Sequence, residues 1–156
     1  MSIELARIDD RLIHGQVMTS WVNYTNANKI VVIDDTTAND AFLSMMIKSL
    51  VPANIEAIVT TQADSVKVVN DADAAGRVLI LAKTPAPYLH LINNGIELKK
   101  VNLGGMGGKV GRSVLYRNIS ASEEEKDCMK EIIAKGVPVE IQLVAEDNAL
   151  DVQKYF

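Results

Sequence analysis

Six short runs rich in β-branched and other apolar residues, separated by stretches with helical periodicity, leave this chain few architectures. The runs are residues 3–8, 30–33, 55–59, 78–81, 101–103 and 139–143. Several are apolar on both faces, as strands inside a covered sheet are. Between them, Val17, Trp21 and Tyr24 share one helical face, and Phe42, Met45, Met46 and Ser49 share another. Thr61 with Asp64 and Ser122 with Glu125 have capping-box spacing, while Gly95 and Gly136 stand where helices stop. Pro85 and Pro87 suit the first turn of a helix carrying Leu89 and Ile92. Residues 113–119 read as a short extended excursion before the next helix. Strand and helix in strict alternation predict an α/β fold: an open, mostly parallel twisted sheet with helices on both faces, in three layers.

At 156 residues with 48% hydrophobic content, the chain can bury one sizeable core, so residues 1–156 are expected to form a single domain. The formal charge of −4 comes from interspersed acids and bases, unlike the dense basic footprint of a nucleic-acid binder. No charged-then-apolar leader follows Met1 and no apolar run approaches a membrane span, so a cytoplasmic protein without direct membrane insertion is expected. One cysteine, Cys128, and two histidines cannot supply the usual zinc spacings, and no metal is expected.

In a parallel sheet all strands end at one edge, and ligands bind on the loops there. Those loops are residues 9–14, 34–39, 60–62, 83–85 and 104–112. His14 falls on the first of them, within ARIDDRLIHGQV at residues 6–17. Neutral imidazole is nucleophilic and can carry a phosphoryl group; a structural hydrogen bond is the plainer alternative. A helix beginning at about Gly15 would turn free N–H groups and its positive dipole end towards that phosphate. The backbone of Leu12, Ile13 and Gly15 is the candidate cradle. Arg11, three residues before His14, has a planar fork that suits two phosphate oxygens, against the alternative of an exposed ion pair with Asp9 or Asp10. Arg7 is a weaker phosphate candidate because it lies within the strand. A carboxylate aimed at a phosphoryl group would repel it, so orientation of the imidazole or of Arg11 falls to Asp9 or Asp10, with Asp10 taken as the candidate site residue.

NLGGMGGKVGRS, residues 102–113, fails both nucleotide patterns. Leu103 stands where the first glycine of a phosphate loop belongs, and Val110 replaces both its Ser or Thr and the last dinucleotide-loop glycine. A surface or partner-contact loop is the plainer reading, with Lys109 a possible phosphate neighbour. Asp34 and Asp35 end a strand as metal-binding acids do, but a turn and helix cap accounts for them.

ARIDDRLIHGQV, followed by VVIDD, VNLGGM and SASEEE, resembles the IIB subunit of the mannose/fructose/sorbose class of the bacterial sugar phosphotransferase system, almost end to end. The resemblance implies a phosphotransferase that accepts a phosphoryl group from its IIA partner on a histidine, here His14. It then passes the group to a sugar entering through the membrane subunits IIC and IID. It also implies a loop arginine at Arg11, no nucleotide, metal or other cofactor, and a position at the inner face of the membrane through IIC and IID. Residues 107–112 depart from the bulkier stretch expected after VNLGGM. The competing readings are a non-catalytic regulatory or adaptor domain controlled at Asp34 and Asp35, and a small-ligand binder using the glycine-rich loop.

Overall fold

Alternation along the strands decides which side chains meet which layer. The computed structural model describes residues 2–156, without the side chains at positions 2, 16 and 17. Met1, on which the absence of a leader was judged, and the Val17 side chain therefore lie outside the described residues. The strands are β1 (Ser2–Asp9), β2 (Lys29–Ile33), β3 (Glu56–Thr60), β4 (Arg77–Ala82), β5 (Val101–Gly105), β6 (Ser113–Tyr116), β7 (Ile119–Ala121), β8 (Val139–Ile141) and β9 (Leu150–Asp151). The helices are α1 (Gly15–Thr25), α2 (Asp35–Ala38), α3 (Ala41–Ser49), α4 (Ser65–Ala75), α5 (Ala86–Asn93) and α6 (Glu123–Ala134). Seven strands form one sheet in the order β3-β2-β4-β1-β5-β8-β9, parallel except for β9, and β6 and β7 make a separate hairpin.

Leu5, Ile30, Val32, Leu79 and Leu81 point to one face and pack against Met18, Trp21 and Val22 of α1. Their neighbours Ala6, Ile8, Val31, Val78 and Ile80 point to the other, against Val69 of α4, Leu91 of α5 and Ile132 of α6. This is the three-layer α/β arrangement that the sequence pattern predicts. Strands β1 and β4 are neighbours, yet β1 leads through α1 to β2 on one side and β4 leads through α5 to β5 on the other. The connections leaving the two strands part at their carboxyl ends. That divergence is the topological switch point at which open α/β sheets hold their sites, and the loop of His14 leaves from it.

Some details differ from expectation and others match it. No residue of α3 is buried, and Phe42, Met45 and Met46 face outwards, because α3 lies at the end of the sheet, against the edge strand β3 and the short helix α2. Tyr24 is likewise exposed, meeting Trp21 edge-on at 5.9 Å between ring centroids. The buried stripe of α5 is Pro87, Tyr88 and Leu91; Leu89 and Ile92 are only partly covered. The excursion at 113–119 is one arm and the turn of the β6–β7 hairpin. Ser122 and Glu125 form the full capping box of α6. Thr61 Oγ1 accepts only the Asp64 N–H, at 3.2 Å, and α4 starts after Asp64. Gly95 and Gly136 stop their helices with φ of +89° and +90°.

Tyr88 ties α5 to the sheet beneath the edge. Its hydroxyl donates to the Arg7 carbonyl at 2.5 Å, with the Ile80 carbonyl 3.1 Å away. Burial holds the phenol well above its ordinary pKa, so it remains a donor. Tyr88→Phe should cost about 1 kcal/mol in urea denaturation without changing the m-value.

Candidate functional site

The period-two alternation of β1 continues past its apolar part: Leu5, Arg7 and Asp9 all turn to the α1 face. Arg7 is a strand residue and is wholly buried. Its Nη1 donates to Asn102 Oδ1, on the residue it faces across β5, and to the Gln142 carbonyl at 2.8 Å. Its Nη2 donates to the Leu143 carbonyl at 2.9 Å and to Asp9 Oδ2 at 3.4 Å. The guanidinium lies 4.8 Å from the Trp21 ring centre. Asn102 Nδ2 in turn donates to Gln142 Oε1 at 3.1 Å, and Gln142 Nε2 holds the carbonyls of Ala145 and Asp147. Arg7 is thus spent inside the protein, and its place as a candidate phosphate ligand is corrected to that of an internal anchor.

Asp9 carries the anchor to the surface. Its Oδ1 accepts from Arg11 Nε at 2.9 Å and from the Arg11 backbone N–H at 3.1 Å, and its Oδ2 accepts from Arg11 Nη2 at 2.9 Å. His14 Nε2 stands 3.7 Å from the same Oδ2. Burial works to raise the Asp9 carboxyl. The hydrogen bonds from Arg11 and the charges of Arg7 and Arg11 outweigh it, and the pKa lies below its ordinary value. The Arg11 guanidinium is correspondingly held above its ordinary value, first by its bond to Asp9. Clamped along one edge, Arg11 is still 51% exposed and keeps its remaining donors for the outside. The ion pair with Asp9 is formed, and it leaves the outer donors of Arg11 unspent.

The turn between them is folded from within. The Leu12 N–H donates to the Asp9 carbonyl at 2.9 Å, and Leu12 has the left-handed φ of +55°. Its side chain and that of Ile13 are buried beneath α1. Leu12 is removed from the candidate phosphate cradle, because its N–H already has this partner. His14 is the extended N-cap of α1, with φ −152° and ψ 135°, and its side chain makes no capping hydrogen bond. The imidazole, 28% exposed, is left for other work. Gly15 opens the helix, whose first-turn N–H groups have no partner inside it.

The role expected of Asp10 belongs to Asp9. Asp10 turns the other way, its Oδ2 accepting the Gly107 N–H at 2.7 Å, and so it orients neither His14 nor Arg11 by contact. The paired glycines of VNLGGM also have an internal reason. A Cβ at Gly104 would fall inside the Arg7 guanidinium, and one at Gly105 would lie 2.8 Å from Asp9 Oδ1. These glycines make room for the anchor. Sequence reasoning offered Asp9 as well as Asp10 for orientation but missed Asn102, Gln142 and the link from Asp9 to a buried Arg7; the available signal was two charged residues two apart on one face of an otherwise buried strand.

Two open cavities flank this turn, and His14 lines neither. One of about 440 Å³ brings together all five edge loops through residues such as Asp10, Asp34, Gln62, Lys83 and Lys109. The other, of about 420 Å³, lies between Arg11, residues 104–107 and the hairpin turn. Lys109 is exposed and lines the first. Asp34 caps α2 through the Thr37 N–H and hydroxyl and pairs with Lys83, as the capping reading predicts. Burial and then the charges of Glu131 and Glu125 push the Cys128 thiol up to about 11, which leaves it an inert nucleophile. Among the described residues no helix is long and apolar enough to cross a membrane.

The fold and edge define a class: a doubly wound α/β domain that presents a histidine, with an arginine clamped beside it, at the start of its first helix. Within that class the chain belongs to the family described as PTS system sorbose subfamily IIB component, whose model matches residues 3–156. It is 35% identical over 151 residues to the mannose-specific EIIAB component of the PTS of Escherichia coli (strain K12), covering 96% of this chain and 47% of that protein, so the chain spans about half that relative's length. It is 32% identical to the PTS fructose-specific EIIB component of Bacillus subtilis (strain 168), covering 97% of this chain and 93% of that one. The crystal structure of the IIBSor domain of the sorbose permease from Klebsiella pneumoniae superposes with a TM-score of 0.94 at 29% identity, over 99% of this chain and 96% of that one.

Gly104→Ala should destabilise the fold by about 3 kcal/mol by overpacking the anchor. Gly108→Ala, whose Cβ would meet only Ser120 Oγ at 4.0 Å, should cost less than about 1 kcal/mol in the same denaturation series. Asp9→Asn leaves Arg7 buried beside a neutral partner and should cost about 3–5 kcal/mol. Because the folded Asp9 pKa lies below the unfolded value of about 3.9, the stability it contributes is complete above that value and is lost as pH falls through the folded pKa. Stability measured from pH 7 down to pH 2 should therefore drop below about pH 4, and the drop should be shallower in Asp9→Asn.

Proposed function

We propose that this domain is a phosphoryl carrier that accepts a phosphoryl group on His14 from a IIA partner and donates it to a sugar held by the membrane subunits IIC and IID. The observation that carries the reading is the arrangement at Asp9, one carboxylate that faces His14 Nε2 and clamps Arg11 with its outer edge exposed. With Nε2 turned to Asp9, Nδ1 is the nitrogen left to attack. In the first step a bond forms between Nδ1 and phosphorus while the phosphorus–nitrogen bond of the donor phosphohistidine breaks in line with it. In this step Arg11 and the Gly15 N–H neutralise the equatorial oxygens, and Asp9 stabilises the positive charge that the ring acquires. In the second step a sugar hydroxyl attacks the same phosphorus and gives its proton to a base supplied by the membrane subunits, while the phosphorus–nitrogen bond breaks and the His14 ring leaves as a neutral imidazole that keeps the N–H facing Asp9.

Such a relay needs neither nucleotide nor metal, since the donor and acceptor are supplied by partners. It fits a site on an open edge rather than in a cleft. A domain of this kind works in the cytoplasm, peripheral to the inner membrane face through IIC and IID. Residues 1–156 would act as a single IIB unit.

Incubation with phosphoenolpyruvate, the general phosphocarriers and IIA should add one phosphoryl mass to the intact chain, as an acid-labile, base-stable phosphoramidate of the Nδ1 isomer. His14→Ala should gain none; a phosphoryl mass on that variant would sink the assignment. Arg11→Ala should remain folded and transfer about 100-fold more slowly, and an unchanged rapid-quench rate would remove Arg11 from the transition state.

A further inference from the structure

Residues 107–112 carry no part of the relay, yet one side chain in them is tied into it. Arg112 is charged and only 4% exposed. Its Nε and Nη2 donate to the two Glu125 carboxylate oxygens at 2.9 and 2.7 Å, and Nη1 donates to the Gly107 carbonyl at 2.7 Å. The same Nη1 stands 3.9 Å from Asp10 Oδ2. Gly107 faces Asp10 with its N–H, 2.7 Å from that oxygen, and the Asp10 N–H donates to the Gly105 carbonyl at 3.0 Å. Arg112 therefore fixes both polar groups of Gly107, directly or through Asp10, and joins α6 to the first residue of the reactive turn.

The charges give this clamp a purpose. Asp9 is matched by Arg7 and Arg11. Asp10 is a second carboxylate, four residues before the nucleophile, on the edge where a phosphoryl group with two negative charges must arrive. A phosphoryl group repels an unmasked carboxylate over such distances. Glu125 is bound so firmly by Arg112 that, although burial works to raise it, its pKa lies below the ordinary value. The guanidinium is accordingly held in place next to Asp10.

We infer that Arg112 is a positioning residue for phosphoryl transfer: it masks the Asp10 carboxylate and, through Gly107, keeps it turned away from the path of the phosphoryl group. The inference rests on the reading of His14 as the phosphoryl acceptor. Its signature is a rescue. Asp10→Asn removes the charge while retaining an oxygen that can accept the Gly107 N–H.

The test measures the rate of phosphoryl transfer from phospho-IIA to the full chain by rapid quench, with thermal unfolding to confirm that each variant is folded. Arg112→Gln should slow transfer about tenfold, and adding Asp10→Asn should return the rate to within about threefold of the Asp10→Asn single variant. In the Arg112→Lys background, where the charge stays, the same Asp10→Asn change should bring no gain; if Arg112→Gln does not fold, Arg112→Met takes its place with the same expected rescue. Losses that simply add, or an equal gain in both backgrounds, would overturn the role of Arg112 while His14 still takes up phosphoryl in the unmodified chain. No phosphoryl on His14 of the unmodified chain would overturn the carrier reading and this inference with it.

Discussion

A guanidinium sealed between the sheet and a tryptophan is the interaction from which the carboxyl edge is built. Moving an arginine out of water costs several kcal/mol even after relaxation. Arg7 offsets that cost with the Asn102 amide oxygen, the carbonyls of Gln142 and Leu143, the Asp9 carboxylate and the face of Trp21. The partners come from four pieces of backbone: the end of β1 itself, β5, the adjacent residues 142 and 143 after β8, and α1. The ends of β1, β5 and β8 and the body of α1 are therefore fixed relative to one charge, and that charge fixes Asp9. Asp9 then acts in both directions, inward to Arg7 and outward to Arg11 and His14.

The turn above this anchor is ordered before any partner approaches. Leu12 holds a left-handed conformation that costs a side-chain-bearing residue about 1–2 kcal/mol. Burying Leu12 and Ile13 returns more, at about 1.5–3 kcal/mol for each fully covered side chain. Two apolar residues in the middle of a polar turn thus act as its foundation. A geometry fixed in this way lowers the entropic cost of aligning a nucleophile with a reacting phosphorus, because the loop has nothing left to lose. It also explains how a shallow edge can serve as a reaction site.

What the sequence made legible follows from the range of the forces involved. The strand runs, the Ser122–Glu125 box, the Asp34 cap and the helix start at Gly15 are set by residues within four positions of one another. The placement of His14 at the carboxyl edge needed only the strand–helix alternation. The outward face of α3 was not legible, since helical periodicity states that a face is apolar and not what covers it. Arg7 was misjudged for a different reason: its partners lie 95 and 135 or 136 residues away. The orientation role fell to Asp9 rather than Asp10 because strand alternation turns only Asp9 towards α1. In the same way, Gly104 and Gly105 resemble a ligand-facing loop in the sequence, and only the opposing strand reveals that they clear space for a neighbour's side chain.

Trp21 is the sole tryptophan of the chain and stacks on the buried guanidinium. Its indole emission comes entirely from beside Arg7, whose guanidinium touches the carboxylate that faces His14. The domain consequently carries an optical reporter of its own charge cluster, in a place where no label needs to be introduced and no partner's surface is disturbed.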